Sequence, residues 1–482
     1  MKVLLINPPL KSDNPSEPIP FPLGLGYLAA SLKQAGHQPV ILDACLGGAR
    51  RAKGEQLYSV GLSQPEILEF VRNNDPDIIG ISVPFTSRLK AAVELGITLR
   101  EALPDTHLIA GGMHATVDPE MLLDRGFDAV LLGEAEQSLI AYVQGLNDDR
   151  KSQALSEGIA YRRDREDRVL PQISHISDLD VVPFPARDLV PFEEYLRRSG
   201  GRWIRPGLRV ASMITSRGCP YRCTFCSAFR VAGRNYRRRS AENVLEEIAE
   251  LVNHYRINVV AFEDDNLTAD RQRAIEIFEG IARRFPKLQW ITPNGVSIRN
   301  LDRELLGIMK RSGCRSVNLA FESGDPEVLR HAMKKDLDPE EGRQVRLWCR
   351  EVGIGVNGYF ILGMPGETPA SMRRTMDFAL SLDLDGIGIF IATPFPGTEL
   401  YDQCKEQGYL DPDYARGDAL FQSDPEVLHR PLIETPQLKR TELMAFHAEF
   451  ERQFMKNYYA NRPVARLKQL AMPILRRTGW GR

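Results

Sequence analysis

Along the first 140 residues, short apolar runs alternate with stretches of helical spacing. KVLLINPP (Lys2 to Pro9), PVILDA (Pro39 to Ala44), DIIGISVP (Asp77 to Pro84), HLIAGG (His107 to Gly112) and DAVLLGEAE (Asp128 to Glu136) are rich in Val, Ile and Leu and close on Gly, Pro, Asp or Asn, as buried strands do. Between them Gly24 to Ala35, Leu89 to Ala102 and Asp118 to Asp124 carry apolar residues at helical spacing. Strand and helix in alternation imply right-handed crossovers and a parallel sheet that binds ligands off its carboxyl edge. An α/β, flavodoxin-like (Rossmann-like) domain is expected over 1–140. From 141 to 205 the pattern breaks into DDRKSQ, RRDRED and VVPFPARDLVPF, a charged and Pro-punctuated connector of short strands or turns. Over 206–405 the alternation returns, with VASMITS, INVVAFED, LQWITPNG, SVNLAFESG, GVNGYFILG and GIGIFIATP as six further strands. Six units are too few to close an eight-unit barrel, so an open partial (β/α)6 barrel is expected. A small helical region, 406–482, ends the chain.

Composition adds limits. The 482 residues are too many for one ordinary domain, and 43% hydrophobic with 26% charged residues is a globular balance. With 62 Lys+Arg against 64 Asp+Glu there is no net field to recruit nucleic acid, and none is expected as a partner. No run approaches the roughly 18 apolar residues of a spanning helix, and the amino terminus turns polar too early for a signal peptide. A cytoplasmic protein is expected. Beyond Glu451 the tail is basic, with Arg466, Lys468, Arg476, Arg477 and Arg482 interleaved with Leu467, Leu470, Ile474, Leu475 and Trp480. That pattern reads first as a solvated helix. The sharper alternative is a peripheral contact with anionic lipid.

Seven cysteines are present, of which Cys45, Cys314, Cys349 and Cys404 are dispersed and read as reduced core thiols. Cys219, Cys223 and Cys226 form C-x3-C-x2-C directly after the first strand of the second half. Three thiolates on one short loop can hold three irons of a [4Fe-4S] cube, leaving the fourth iron open to chelate S-adenosylmethionine (SAM). Structural zinc wants four ligands, and no fourth Cys or His lies near.

With Phe225 before the last cysteine, this loop resembles the signature of the radical SAM superfamily, and the likeness continues strand by strand. The resemblance implies that Glu263, Asp264 and Asp265 receive the SAM amino group, that Glu322 and Ser323 bind its ribose, and that Gly363 in GYFILGMPGET lies beside the adenine. The sixth-strand end ATPFPGTELY also resembles one subgroup. Singly, acidic residues at strand ends are as often helix caps. The run Arg234 to Arg239 reads as a solvated face, with a carboxylate or substrate anion as its functional alternative.

The subgroup so matched resembles cobalamin-dependent radical SAM enzymes, the class B radical methyltransferases and anaerobic cyclases, which carry a cobalamin-binding domain in front. Asn7 in NPP, Ser82, Gly111, Gly112 and His114 in GGMHAT, and Gly133 and Glu134 in LLGEAE are the cobalamin-binding residues implied. The Asp-x-His-x-x-Gly motif that ligates cobalt in many cobalamin proteins is absent, which leaves the lower axial ligand open. A second cluster is not expected, since the front domain holds Cys45 alone and no cysteine follows Cys404.

The implied activity is methyl transfer to an unactivated carbon through a 5′-deoxyadenosyl radical and methylcobalamin. Oxidative cyclisation or rearrangement with the same cofactors is the alternative, and a non-catalytic cobalamin sensor the remote one. The partners expected are a small-molecule substrate and a one-electron donor such as flavodoxin or ferredoxin, acting on a monomer. No catalytic acid or base is assigned, because the side chains' task would be placement and exclusion of water.

Overall fold

In the computed structural model, which describes residues 1–16, 18–51, 57–147, 158–162, 168–169, 173, 175–203 and 207–462, every apolar run singled out above is a strand. In the front domain these are β1 (Lys2–Asn7), β2 (Gln38–Asp43), β3 (Ile78–Ser82), β4 (His107–Gly111) and β5 (Ala129–Leu131), all parallel, in the spatial order 2-1-3-4-5. That is the flavodoxin-like order, in which the chain reverses its direction of travel beside β1 and opens a crevice at the strands' carboxyl ends. Successive side chains of β1 enter opposite layers. Val3 and Leu5 pack with the helices Leu23–Gln34 and Glu136–Asn147, whereas Leu4 and Ile6 pack with Gln64–Asn74 and Leu89–Ala102. Burial on both faces is why Val3 to Ile6 are all apolar.

The segment 141–205 holds more order than its composition predicts. Among the described residues β6 (Ile159–Arg162) adds to the front sheet antiparallel to β5, β7 (Arg168–Val169) pairs antiparallel with β6, and a helix spans Phe192–Trp203. Phe192, Tyr195 and Leu196, at helical spacing, join the core beneath the second sheet. The Pro-rich approach hides this helix, and edge strands this short acquire their identity from the partner they pair with.

The second sheet is β8 (Val210–Met213), β9 (Val259–Phe262), β10 (Gln289–Val296), β11 (Cys314–Glu322), β12 (Gly355–Leu362) and β13 (Gly386–Ile391), parallel and in chain order. It is the open six-unit barrel expected. The helix Arg440–Asn461 lays Leu443, Phe446, Phe450 and Phe454 onto its outer layer. Residues 463–482, which carry most of the basic and apolar tail, lie outside the described residues. No helix among those described is long and apolar enough to cross a membrane.

Candidate cofactor site between the two sheets

The cysteine loop leaves β8 through Gly218, whose φ of 87° is open to glycine and whose added Cβ would strike the Asn235 carbonyl oxygen at 2.3 Å. The loop is pinned from both sides. Thr224 donates from its amide to the Met333 carbonyl (3.1 Å) and from its hydroxyl to the Ala332 carbonyl (2.7 Å), and Arg234 donates to the Tyr221 carbonyl (2.6 Å). Cys219, Cys223 and Cys226 are half-buried on the wall of one cavity of about 320 Å³, together with Phe225. Burial pushes all three thiols up, Cys223 to about 11, so the bare loop holds neutral thiols that only a metal would deprotonate. The three do not converge, with any other His, Cys, Asp or Glu among the described residues, into a group that could hold one ion. One thiolate per iron of a cluster needs no such convergence.

Asp265, Asn266, Asn294, Ser297, Glu322 and Lys335 are among the polar residues that line the rest of that cavity. Asn266 is 2% exposed, and its amide nitrogen has no partner, a donor left for whatever occupies the space. Glu322 ends β11 at φ 63° and accepts from Lys335 Nζ at 2.9 Å. The cavity thus offers a free donor at Asn266 and a carboxylate at Glu322 shared with Lys335.

Four of the sequence-predicted SAM residues stand elsewhere; Glu263 accepts from the Ser212 hydroxyl (3.0 Å) and lies on the wall of a neighbouring cavity instead. Asp264 is 1% exposed and accepts from the Thr215 amide (3.1 Å), the Thr215 hydroxyl (2.7 Å) and the Ser216 hydroxyl, so its carboxylate locks the start of the cysteine loop and is off the cavity wall. Ser323 is also buried and bonds the Thr375 hydroxyl (2.9 Å) and the Asp325 amide (3.1 Å). Gly363 serves the turn after β12, at φ 90°, its amide donating to Glu367 (2.6 Å). Carboxylates and hydroxyls at strand ends look alike in sequence, and the direction each points is set by packing.

A second cavity covers the carboxyl ends of β1, β3, β4 and β5. Ser82, Gly111, Gly112, Gly133 and Glu134 line it as expected, with Gly24, Tyr27 and Glu136 beside them. Gly24, Gly80, Gly111, Gly112 and Gly133 offer bare backbone, and Leu5, Ile109, Leu131 and Leu139 offer apolar floor, a surface that fits the close approach of a large planar cofactor. Two expected residues are absent from the wall. Asn7 is spent on Asp43 (2.8 Å) below the strand end, and His114, 3% exposed, bonds Thr86 (3.2 Å) in the interior.

The barrel supplies the opposite wall through Ile214, Ser216, Arg217, Glu263 and Asp265. Arg217, which the sequence reading passed over although it stands two residues before Cys219, pairs with Glu136 at 2.6 Å and Glu134 at 3.6 Å. The run Arg234 to Arg239 is not a solvated face. Arg237 grips Glu134 with two bonds (2.7 and 2.6 Å) and Arg239, 4% exposed, pairs with the buried Glu247. Carboxylates answer the run, as its alternative reading had it. Asp265 lines both cavities, so the cysteine loop's space and the front domain's crevice meet at one side chain.

Comparison with known proteins agrees with this geometry. Residues 213–379 match the family model described as the radical SAM superfamily, and residues 15–143 the one described as a B12 binding domain. The chain is 33% identical over 448 residues to the cytidylyl-2-hydroxyethylphosphonate methyltransferase of Streptomyces wedmorensis, covering 86% of this chain and 83% of that protein. It is 26% identical to the anaerobic magnesium-protoporphyrin IX monomethyl ester cyclase of Rubrivivax gelatinosus, over 97% of this chain and 80% of that one. Among solved structures, the radical SAM methyltransferase TsrM of Kitasatospora setae superposes with a TM-score of 0.73 at 20% identity, covering 94% of this chain and 89% of that one.

Proposed function

The chain belongs to the radical SAM superfamily, in the branch whose barrel follows a B12-binding domain, and on that premise we propose that it methylates an unactivated carbon of a small molecule. Its cofactors are a [4Fe-4S] cluster, SAM and cobalamin. When bound, these supply reductive cleavage of SAM at the cluster and methyl carriage on cobalt.

The chain's own residues hold and screen. Cys219, Cys223 and Cys226 would grip three irons while Phe225 covers the loop. Asp265 offers an acceptor to an ammonium group, Asn266 a donor, and Glu322 an acceptor for sugar hydroxyls. Ser82 and the glycine-walled crevice would take the corrinoid. The observation that carries the reading is Asp265 on the wall of both cavities, since two cofactors can act on one carbon only from adjoining spaces.

Anaerobic reconstitution with cobalamin and methyl-labelled SAM tests this. We expect about four irons per chain, formation of 5′-deoxyadenosine, and transfer of the label to substrate, with iron and deoxyadenosine both lost in Cys219→Ala, Cys223→Ala or Cys226→Ala. Label that stays with SAM while substrate loses hydrogen would overturn methyl transfer in favour of cyclisation, the second reading, which the likeness to the Rubrivivax cyclase along nearly the whole chain supports.

A further inference from the structure

A third cavity, of about 460 Å³, lies between the front domain, the Phe192–Trp203 helix and the inner face of the barrel. It touches the other two. Glu263 lies on its wall and on that of the front-domain crevice, and Asn294 on its wall and on that of the cysteine cavity. Its volume falls within the roughly 300–1,000 Å³ of small-molecule pockets.

Its lining is specific in charge and shape. Arg88 is the single basic wall residue among those described. Its guanidinium donates to the Pro8 carbonyl (3.1 Å) and the Cys45 sulfur (3.5 Å) and makes no ion pair among the described residues. Both partners are neutral, because burial holds the Cys45 thiol protonated, pushing it up to about 12. A half-buried arginine without a carboxylate keeps its charge and its planar donor fork for an incoming anion. The rest of the wall is ring-rich, with Phe21, Phe85, Tyr195 and Tyr359. Phe85 is 56% exposed, and Phe390, 51% exposed, packs edge-on against Tyr359 with ring centroids 5.5 Å apart. Exposed rings beside a cavity are a cost unless something flat and apolar covers them.

We infer that this chamber is the substrate site and that it takes a small molecule with a carboxylate or phosphoryl group held by Arg88 and a flat apolar body lying on Phe85 and Tyr359. Glu263, the single acidic wall residue among those described, repels the anion. The uncharged part of the ligand is therefore directed to Glu263 and Asn294, where all three cavities meet. This inference rests on the functional reading above, because it takes the meeting point as the place of reaction.

Calorimetric titration of the cofactor-loaded enzyme with naphthoate, naphthylphosphonate and the neutral naphthamide tests the chamber without turnover. At least one anion is expected to bind more tightly than naphthamide, with the tighter anion naming the group. Arg88→Gln is expected to weaken anion binding about tenfold or more and to leave naphthamide unchanged, and Arg88→Lys to restore part of the loss. Phe85→Ala, at an exposed position that the fold does not need, is expected to weaken all three. Naphthamide binding as tightly as both anions, an unaltered anion affinity in Arg88→Gln, or unaltered affinities in Phe85→Ala would each overturn the assignment. Cobalamin absorbance and iron content of the same wild-type samples report on the cofactors separately, so their absence would sink the functional reading and charge-blind binding the chamber alone.

Discussion

Asp264 and Asp265 are adjacent carboxylates with opposite fates, and burial separates them. Asp264 has its oxygens filled by the Thr215 and Ser216 donors, while Asp265 faces two cavities. His114 shows the same separation of identity from role. It stands in the GGMHAT motif, yet its ring lies in the interior, where burial pulls it down to about 4. Folded protein thus keeps this imidazole neutral where the unfolded chain, at its ordinary 6.5, is protonated. The unfolded state binds the extra proton between those values, so the contribution is complete above about pH 6.5 and is lost as pH falls towards 4. Its full size is about 3 kcal/mol. Urea unfolding midpoints should fall between pH 7 and pH 5, and His114→Gln should flatten that slope. An equal slope in the variant would show that other groups carry it.

At the scale of the element, the carboxyl ends of β9 and β11 are where strands stop being scaffold. Glu322 ends β11 in left-handed backbone, a conformation that costs a non-glycine residue roughly 1–2 kcal/mol and persists only where surroundings impose it. Glu322→Ala and Glu322→Gly both remove the Lys335 pair, but only alanine retains the strain. The glycine variant should be the more stable by about 1 kcal/mol in chemical denaturation, while both bind SAM less tightly than wild type. Alanine proving the more stable would show that the backbone is not strained there. The parallel strands of the front sheet were legible as apolar runs buried on both faces, whereas barrel strands such as Gly355–Leu362, buried on alternate residues, were legible from their β-branched and aromatic content and the Gly, Pro or Asp that ends them. The helix Phe192–Trp203 and strands β6 and β7 were not, since Pro and charge flank the one and sheet pairing alone defines the others.

Across the whole molecule, the two sheets are joined by arginines from the barrel seated on acids of the front domain. Glu134 is the hub, 9% exposed, accepting from Arg237 twice and from the Ile176 amide (3.1 Å) with Arg217 close by. Glu134→Gln leaves two mostly buried guanidinium groups short of charge, at a cost of about 3–5 kcal/mol. It should lower the thermal midpoint and reduce cobalamin uptake together; a variant as stable as wild type would show that the Glu134 charge does not hold the joint. Sequence by itself determined the two parallel sheets and the cysteine loop with its cluster, because apolar periodicity and ligand spacing are local properties of the chain, while cobalamin came from the family resemblance of its motifs. Tertiary structure alone decided which acids face a cavity, that Arg217 and Arg237 tie the halves together, and that Arg88 reaches a chamber beside Tyr359, residues 271 positions apart. Side-chain direction and distant neighbours are products of packing, and no local pattern encodes them.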